Sequence, residues 1–204
     1  MRSHLFIPLL ALILTTAGCH ILPSAKVDPT RFFVLTSPEL KPTQTPPSSS
    51  GLRLGITKLE IPGYLQNRSI VVKQNTNEVS IQDLNRWAEP LETALGRVIK
   101  SGLIQNPRIS SVNFAPFPID MSRDYDVTIT LNTCEGFINT SDKTSAQFSA
   151  SVEITTPSPE SKIIAKYNYI AQSLDWDGTD YGKLAEELSS DALALGNDIP
   201  NHLP

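Results

Sequence analysis

Three stretches in the second half of the chain alternate apolar and polar residues, and this period of two constrains the fold more than any other feature. Tyr125, Val127, Ile129 and Leu131 alternate with Asp126, Thr128 and Thr130. Ala146, Phe148, Ala150, Val152 and Ile154 alternate with Gln147, Ser149, Ser151 and Glu153. After a Thr156-Pro157-Ser158-Pro159 turn, Ile163, Ala165, Tyr167, Tyr169 and Ala171 continue the pattern. Successive side chains of a strand point to opposite faces, so each stretch has one apolar and one polar side. An antiparallel meander with a single covered face is the arrangement that uses such strands. The polar sides are mainly Ser, Thr, Gln and Asn, which suits a wet surface or a second interface of modest polarity.

Upstream, shorter signals of the same kind recur. Arg31-Phe32-Phe33-Val34-Leu35-Thr36 reads as a strand, and Leu52, Leu54 and Ile56 alternate with Arg53, Gly55 and Thr57. Pro62-Gly63 marks a turn. Ser69-Ile70-Val71-Val72-Lys73 and Glu78-Val79-Ser80-Ile81, joined through Asn75-Thr76-Asn77, read as a hairpin. Arg108 to Phe114 is a further short strand before a loop carrying Pro116 and Pro118.

Two segments carry the helical period. Trp87, Leu91, Leu95, Val98 and Ile99 fall on one helical face, with Pro90 expected in the first turn and Gly102 expected to end the helix. Asp180 is placed to cap a second helix bearing Tyr181, Leu184, Ala185, Leu188, Ala192, Leu195 and Ile199 on one side. Two amphipathic helices and roughly seven strands predict an α/β layer fold, a mixed and largely antiparallel sheet with both helices packed on it.

The amino terminus sets location. Met1-Arg2-Ser3-His4 is followed by an apolar run, Leu5 to Leu14, long enough for a secretory h-region and too short to span a bilayer as a helix. Thr15-Thr16-Ala17-Gly18-Cys19 then resembles a bacterial lipobox, with Thr16 where Leu is usual. The alternative is an ordinary secreted protein with a chance cysteine. The expected organisation is a signal peptide at 1–18, a lipidated tether at 19–30, and a single domain at 31–204 with a Pro/Ser-rich loop at 37–50. Diacylglycerol and an N-acyl chain on Cys19 would bind a bilayer with about 20 kcal/mol or more, at ~0.8 kcal/mol per buried methylene. His20 follows that cysteine where lipoproteins of diderm bacteria kept in the inner membrane tend to have Asp, so the resemblance to such lipoproteins implies the outer membrane, facing the periplasm.

Composition excludes several chemistries. The formal charge of −4, from 17 basic and 21 acidic side chains, leaves no basic excess for nucleic acid. The three histidines, His4, His20 and His202, all lie near the ends, so no Ser-His-Asp or Cys-His centre is expected inside the domain. No catalytic residue, no metal site and no cofactor beyond the acyl groups on Cys19 is expected. Glu186-Glu187 reads as a solvated helix face, and Asp175-x-Asp177-Gly178 as a lead into the last helix. Cys134 would be alone once Cys19 carries lipid. Its neighbours Leu131 and Phe137 favour a buried strand end over an interchain disulfide.

Several motifs together resemble the PqiC family of ABC-type transport auxiliary lipoproteins. They are Phe32-Phe33-Val34-Leu35 after the tether, Gly55-Ile56-x-x-Leu59-x-Ile61-Pro62-Gly63-Tyr64-Leu65, Asn67-Arg68-Ser69-Ile70-Val71, and the most specific run, Trp87-Ala88-Glu89-Pro90-Leu91. The final helix from Asp180-Tyr181 also fits, while the Pro-rich loop is longer than usual. The resemblance implies a fold similar to the anticodon-binding or TolB N-terminal type. It also implies partnership with an MCE-type periplasmic protein of a lipid transport system, and by analogy a homo-oligomer.

Three function classes remain open on these grounds. They are a non-enzymatic scaffold for that system, a carrier holding a lipid or other apolar ligand, and a purely structural envelope lipoprotein. Tyr64, Leu65 and Arg68 are the candidate partner contacts. Tyr64 and Leu65 either present an anchor to a partner or fold back to seal the core. Arg68 either meets solvent and local partners or contacts a lipid headgroup.

Overall fold

Strand β6, Tyr125–Ile138, organises the sheet because it is long enough to hold two partners end to end on one side. The structure, a computed structural model, describes residues 27–38 and 51–204; Cys19, the signal segment and most of the Pro/Ser-rich loop lie outside the described residues. The other strands are β1 (Arg31–Phe33), β2 (Leu52–Glu60), β3 (Ser69–Gln74), β4 (Glu78–Trp87), β5 (Ile109–Phe114), β7 (Thr144–Thr155), β8 (Ile163–Ile170) and β9 (Leu174–Asp175). Helix α1 is Leu91–Gln105 and helix α2 is Tyr181–Asp198.

The sheet is open, mixed and largely antiparallel. Its longest ladders are the expected meander, β6 against β7 and β7 against β8. Parallel pairing enters on the other side of β6. There β2 runs beside its first half, from Leu54↔Tyr125 to Glu60↔Thr130, and β3 beside its last residues, from Val72↔Gly136 to Gln74↔Ile138. The order β1-β4-β3-β6-β2-β5 follows, with β7 carrying β8 and β9 on the far side.

Both helices cover one face. Leu95, Val98, Ile99 and Leu103 of α1 and Leu184, Leu188, Ala192 and Leu195 of α2 are buried against Leu54, Ile56, Val127, Ile129, Leu131, Val152 and Ile154 of the sheet. Each such leucine, isoleucine or valine contributes about 1.5–3 kcal/mol on burial. The Asp180 side chain caps α2 as expected, accepting from the backbone N–H groups of Gly182 and Lys183.

Three expectations about α1 are corrected. Trp87 shares the spacing of the helical face, but it ends β4, buried at 3% exposure, and Pro90 is the residue before the helix rather than in its first turn. Its fixed φ starts the helix at Leu91, while the residue before a proline is held extended. Gly102 does not end α1, which continues to Gln105. It marks the crossing of the two helices instead. A Cβ on Gly102 would lie 2.5 Å from the carbonyl oxygen of Leu193, and one on Gly196 would collide with the carbonyl of Ile99. Glycine is required here by close backbone approach.

Cys134 is buried at 2% exposure in the body of β6, not at a strand end. Burial pushes its thiol well above the usual range, helped by the nearby carboxylates of Glu135 and Asp191. Asp191, on α2, is 7% exposed with no partner for Oδ2 among the described residues. Burial, with Glu187 adding to it, pushes the Asp191 carboxyl up to about 6.

Gly102→Ala and Gly196→Ala are each expected to lower stability by about 2 kcal/mol in denaturant unfolding. Overpacking against backbone costs about 1–3 kcal/mol, and alanine's better helix propensity returns under about 1. Because the folded-state pKa of Asp191 is raised, its protonated form is the one the fold favours. The associated stability is fully present below pH 3.8 and is lost as pH rises through about 6. Asp191→Asn is expected to remove that slope, on the order of 2 kcal/mol, in melting curves taken between pH 4 and 7.

Candidate functional site

Strands β2 and β3 lie in line along the same side of β6, and because the chain has more residues than β6 between Glu60↔Thr130 and Val72↔Gly136, residues 61–68 loop out between them. Pro62 enters a single 3-10 turn, Gly63–Leu65, closed by Leu65 N–H to Pro62 O at 2.9 Å. The Asn67 amide donates to Tyr64 O at 2.7 Å, and Asn67 Oδ1 accepts from Ser69 N–H at 2.7 Å. The carbonyl of Arg68 accepts from Trp87 N–H at 2.7 Å, which ties this corner to the Trp-Ala-Glu-Pro run.

The three candidate contacts separate here. Leu65 is buried at 2% exposure and belongs to the core, so it offers no surface to a partner. Arg68 is exposed and has no ion-pair partner among the described residues. Tyr64 is partly exposed and tied to the sheet. Its ring keeps 37% exposure while its hydroxyl donates to Glu135 Oε2 at 2.6 Å.

Glu135 lies on the sheet face away from the helices. Gly136 beside it faces them, since a Cβ there would strike the Trp176 ring, and strand neighbours alternate. Glu135 is only 1% exposed, and its Oε1 has no partner among the described residues. Burial raises its carboxyl above the usual range; the Tyr64 hydrogen bond and the charge of Lys73 pull the other way. Burial and this carboxylate hold the Tyr64 phenol well above its ordinary value.

The rest of that face is uncovered by the helices and hydrogen-bonded across strands. Thr133 meets Ser149 at 2.8 Å, Ser151 meets Asn168 at 2.9 Å, and Thr57 meets Thr128 at 2.9 Å. Lys166 pairs with Glu153 at 2.7 Å.

A second feature lies at the sheet edge, and sequence reasoning missed it. Strand β5 pairs with β2 only as far as Ile56↔Phe114, with one further bond from Ala115 N–H to Ile56 O at 3.0 Å. Pro116 and Pro118 then carry the chain away, having no N–H to continue a ladder. Strand β2 runs on to Glu60, and α1 overhangs the vacated side. The result is a cleft of about 860 Å³ bounded by residues 56–61, Phe114 and the Glu92–Lys100 face of α1. The prolines were the available signal, but the length mismatch between β2 and β5 required the pairing register.

The acidic pairs have structural roles. Lys183 bridges Glu186 at 3.1 Å and Glu187 at 2.7 Å, and Asp177 Oδ1 accepts from the N–H groups of Thr179 and Asp180, shaping the entry to α2. Among the described residues no group of three or more His, Cys, Asp or Glu is placed to hold a metal ion, and no helix is long and apolar enough to cross a membrane. Cys19, the lipid-attachment candidate, lies outside the described residues.

The model of the family described as ABC-type transport auxiliary lipoprotein component matches residues 33–199. Among solved structures, a protein from Xanthomonas campestris, XCC0632, is similar at TM-score 0.67 and 14% identity, over 83% of this chain and 92% of that one. A second, titled only as an uncharacterized protein, is similar at TM-score 0.64 and 16% identity, over 84% and 97%. The PelC dodecamer from Paraburkholderia phytofirmans is similar at TM-score 0.41 and 12% identity, over 79% and 95%. No curated protein sequence matches.

Tyr64→Phe removes the side-chain donor to the buried Glu135 carboxylate and is expected to cost about 1–3 kcal/mol at neutral pH. The Glu135 pKa is raised on folding, so its contribution is present at acid pH and is lost as pH rises past the ordinary carboxylate range. Glu135→Gln should therefore melt with less pH dependence than the parent, and should remove most of the penalty of Tyr64→Phe in the double variant.

Proposed function

The chain belongs to the family of ABC-type transport auxiliary lipoproteins, and we propose that it acts as a non-enzymatic, outer-membrane-anchored subunit of an MCE-type lipid transport system. The observation that carries this reading is the extent of the family match, which runs from the first strand, at residue 33, into the turn after α2, at residue 199. Cys19, behind its apolar run and small residues, is the proposed site of acylation, and residues 20–30 are the tether that holds the domain beside the leaflet. An extended chain gains roughly 3.3–3.6 Å per residue, so the domain can stand tens of ångströms into the periplasm.

The proposed partner contact is the 61–68 corner. It offers an aromatic ring and a free guanidinium on a turn pinned by backbone hydrogen bonds, and Tyr and Arg are the residue types that anchor interfaces most often. Leu65 supports that corner from within. Assembly into a homo-oligomer remains part of the proposal through the family resemblance.

A carrier would need a cavity between sheet and helices. The centre of that layer is filled by Leu95, Ile99, Ile129 and Leu188, each 0% exposed, and the cleft between β2 and α1 lies at the open sheet edge, which favours the scaffold reading.

Three measurements test the proposal. In cells fed radiolabelled palmitate, the parent is expected to label and Cys19→Ala to lose the label; equal labelling removes the anchor. The parent is expected to sediment with outer membranes. Arg68→Glu is expected to keep the parental melting temperature yet lower co-purification of the MCE protein at least fivefold. Failure of the parent itself to co-purify with any MCE protein removes the transport role.

A further inference from the structure

The cleft beside β2 is bounded by a strand edge on one side and a helix on the other. Among the described residues no strand pairs with the outer side of β2 beyond Ile56, so the backbone of Thr57–Glu60 faces the cleft with hydrogen-bonding capacity that the sheet does not use. Leu59 and Phe114, which would both touch a Cβ added at Gly96, form an apolar wall. An open edge over an apolar wall is the setting in which an extended peptide adds as one more strand.

The charges select among occupants. Lys58 is paired with Glu60 at 2.5 Å, and Arg97 with Glu89 at 2.5 Å. Glu92 and Lys100, both lining the cleft, have no ion-pair partner among the described residues. They lie eight residues apart on α1, so about 12 Å separates them along the helix axis at 1.5 Å per residue. A zwitterionic lipid headgroup is too short to reach both. In an extended chain, side chains four residues apart are about 13 Å apart and on the same face.

We propose that this groove binds an extended polypeptide segment of a partner, added to the Thr57–Glu60 edge of β2, with a basic side chain meeting Glu92 and an acidic one, four residues away, meeting Lys100. The inference rests on the auxiliary-subunit reading for the partner's presence and goes beyond it in naming the site and the chemistry of what docks there.

The test uses the full chain and a random dodecapeptide library displayed on phage. Enriched peptides are expected to carry opposite charges four residues apart, to slow hydrogen exchange at 57–60, and to bind at least tenfold more weakly to Thr93→Trp, which fills the mouth of the cleft from an exposed position. Lys100→Glu is expected to weaken them several-fold and to be rescued by peptides with the acidic residue replaced by lysine. Equal binding to Thr93→Trp, or no slowed exchange at 57–60, overturns the site. Displacement of the peptides by vesicles of phosphatidylethanolamine and phosphatidylglycerol overturns the choice of occupant. If Thr93→Trp leaves MCE co-purification intact while Arg68→Glu abolishes it, the groove proposal fails and the auxiliary reading stands; if the parent never co-purifies, that reading fails by itself.

Discussion

A strand of fourteen residues with two different neighbours in succession on one side is the constraint from which the rest of the structure follows. Strand β6 takes β2 along its first half and β3 along its end, both parallel to it. The two lie in line, but between Glu60↔Thr130 and Val72↔Gly136 the chain has eleven residues where β6 has five, so the surplus leaves the sheet before the chain rejoins it. The 61–68 corner is that detour, and its exposed Tyr64 ring and Arg68 side chain follow from it. The detour also places a hydroxyl over Glu135, a carboxylate that the strand alternation had turned away from the helices into a buried position.

The same sheet is covered on one side only. The two helices approach closely enough to need glycine at Gly102 and Gly196, and they bury the apolar face over β2, β6 and β7 while leaving Ala165, Tyr167 and Tyr169 of β8 partly buried. The opposite face answers with hydroxyl and amide pairs across strands, which satisfy one another without a second layer. At the edge, β5 stops short of β2, and α1 roofs the gap. Both surfaces proposed for a partner lie at the interruptions of the sheet, where backbone groups or pinned side chains are left without sheet neighbours.

Much of this was legible beforehand. The alternation at 125–131 and 146–154 matches the buried faces, because burying one face leaves register little freedom, whereas at 163–171 a register shift beside Thr155 leaves Ile163 exposed. Asp180 announced α2 through cap chemistry that acts locally. Trp87 and Gly102 misled for a common reason. Periodicity scores a residue by its spacing alone, and Trp87 is buried by strand packing while Gly102 is small because another helix touches it. Leu65 and Tyr64 could not be told apart in sequence, since one turn of 3-10 helix sends adjacent side chains in different directions.

By itself the sequence determined the main strands and the two helices, which side of the long central strands is apolar, and that no internal histidine is available for catalysis. These are properties of single residues and of short-range spacing. Tertiary structure alone decided that β2 and β3 share one side of β6, that two glycines meet at a helix crossing, and that an open edge and a buried carboxylate exist at all. Each of those depends on residues far apart in the chain being brought to the same place, and no local pattern encodes which distant neighbour a strand will take.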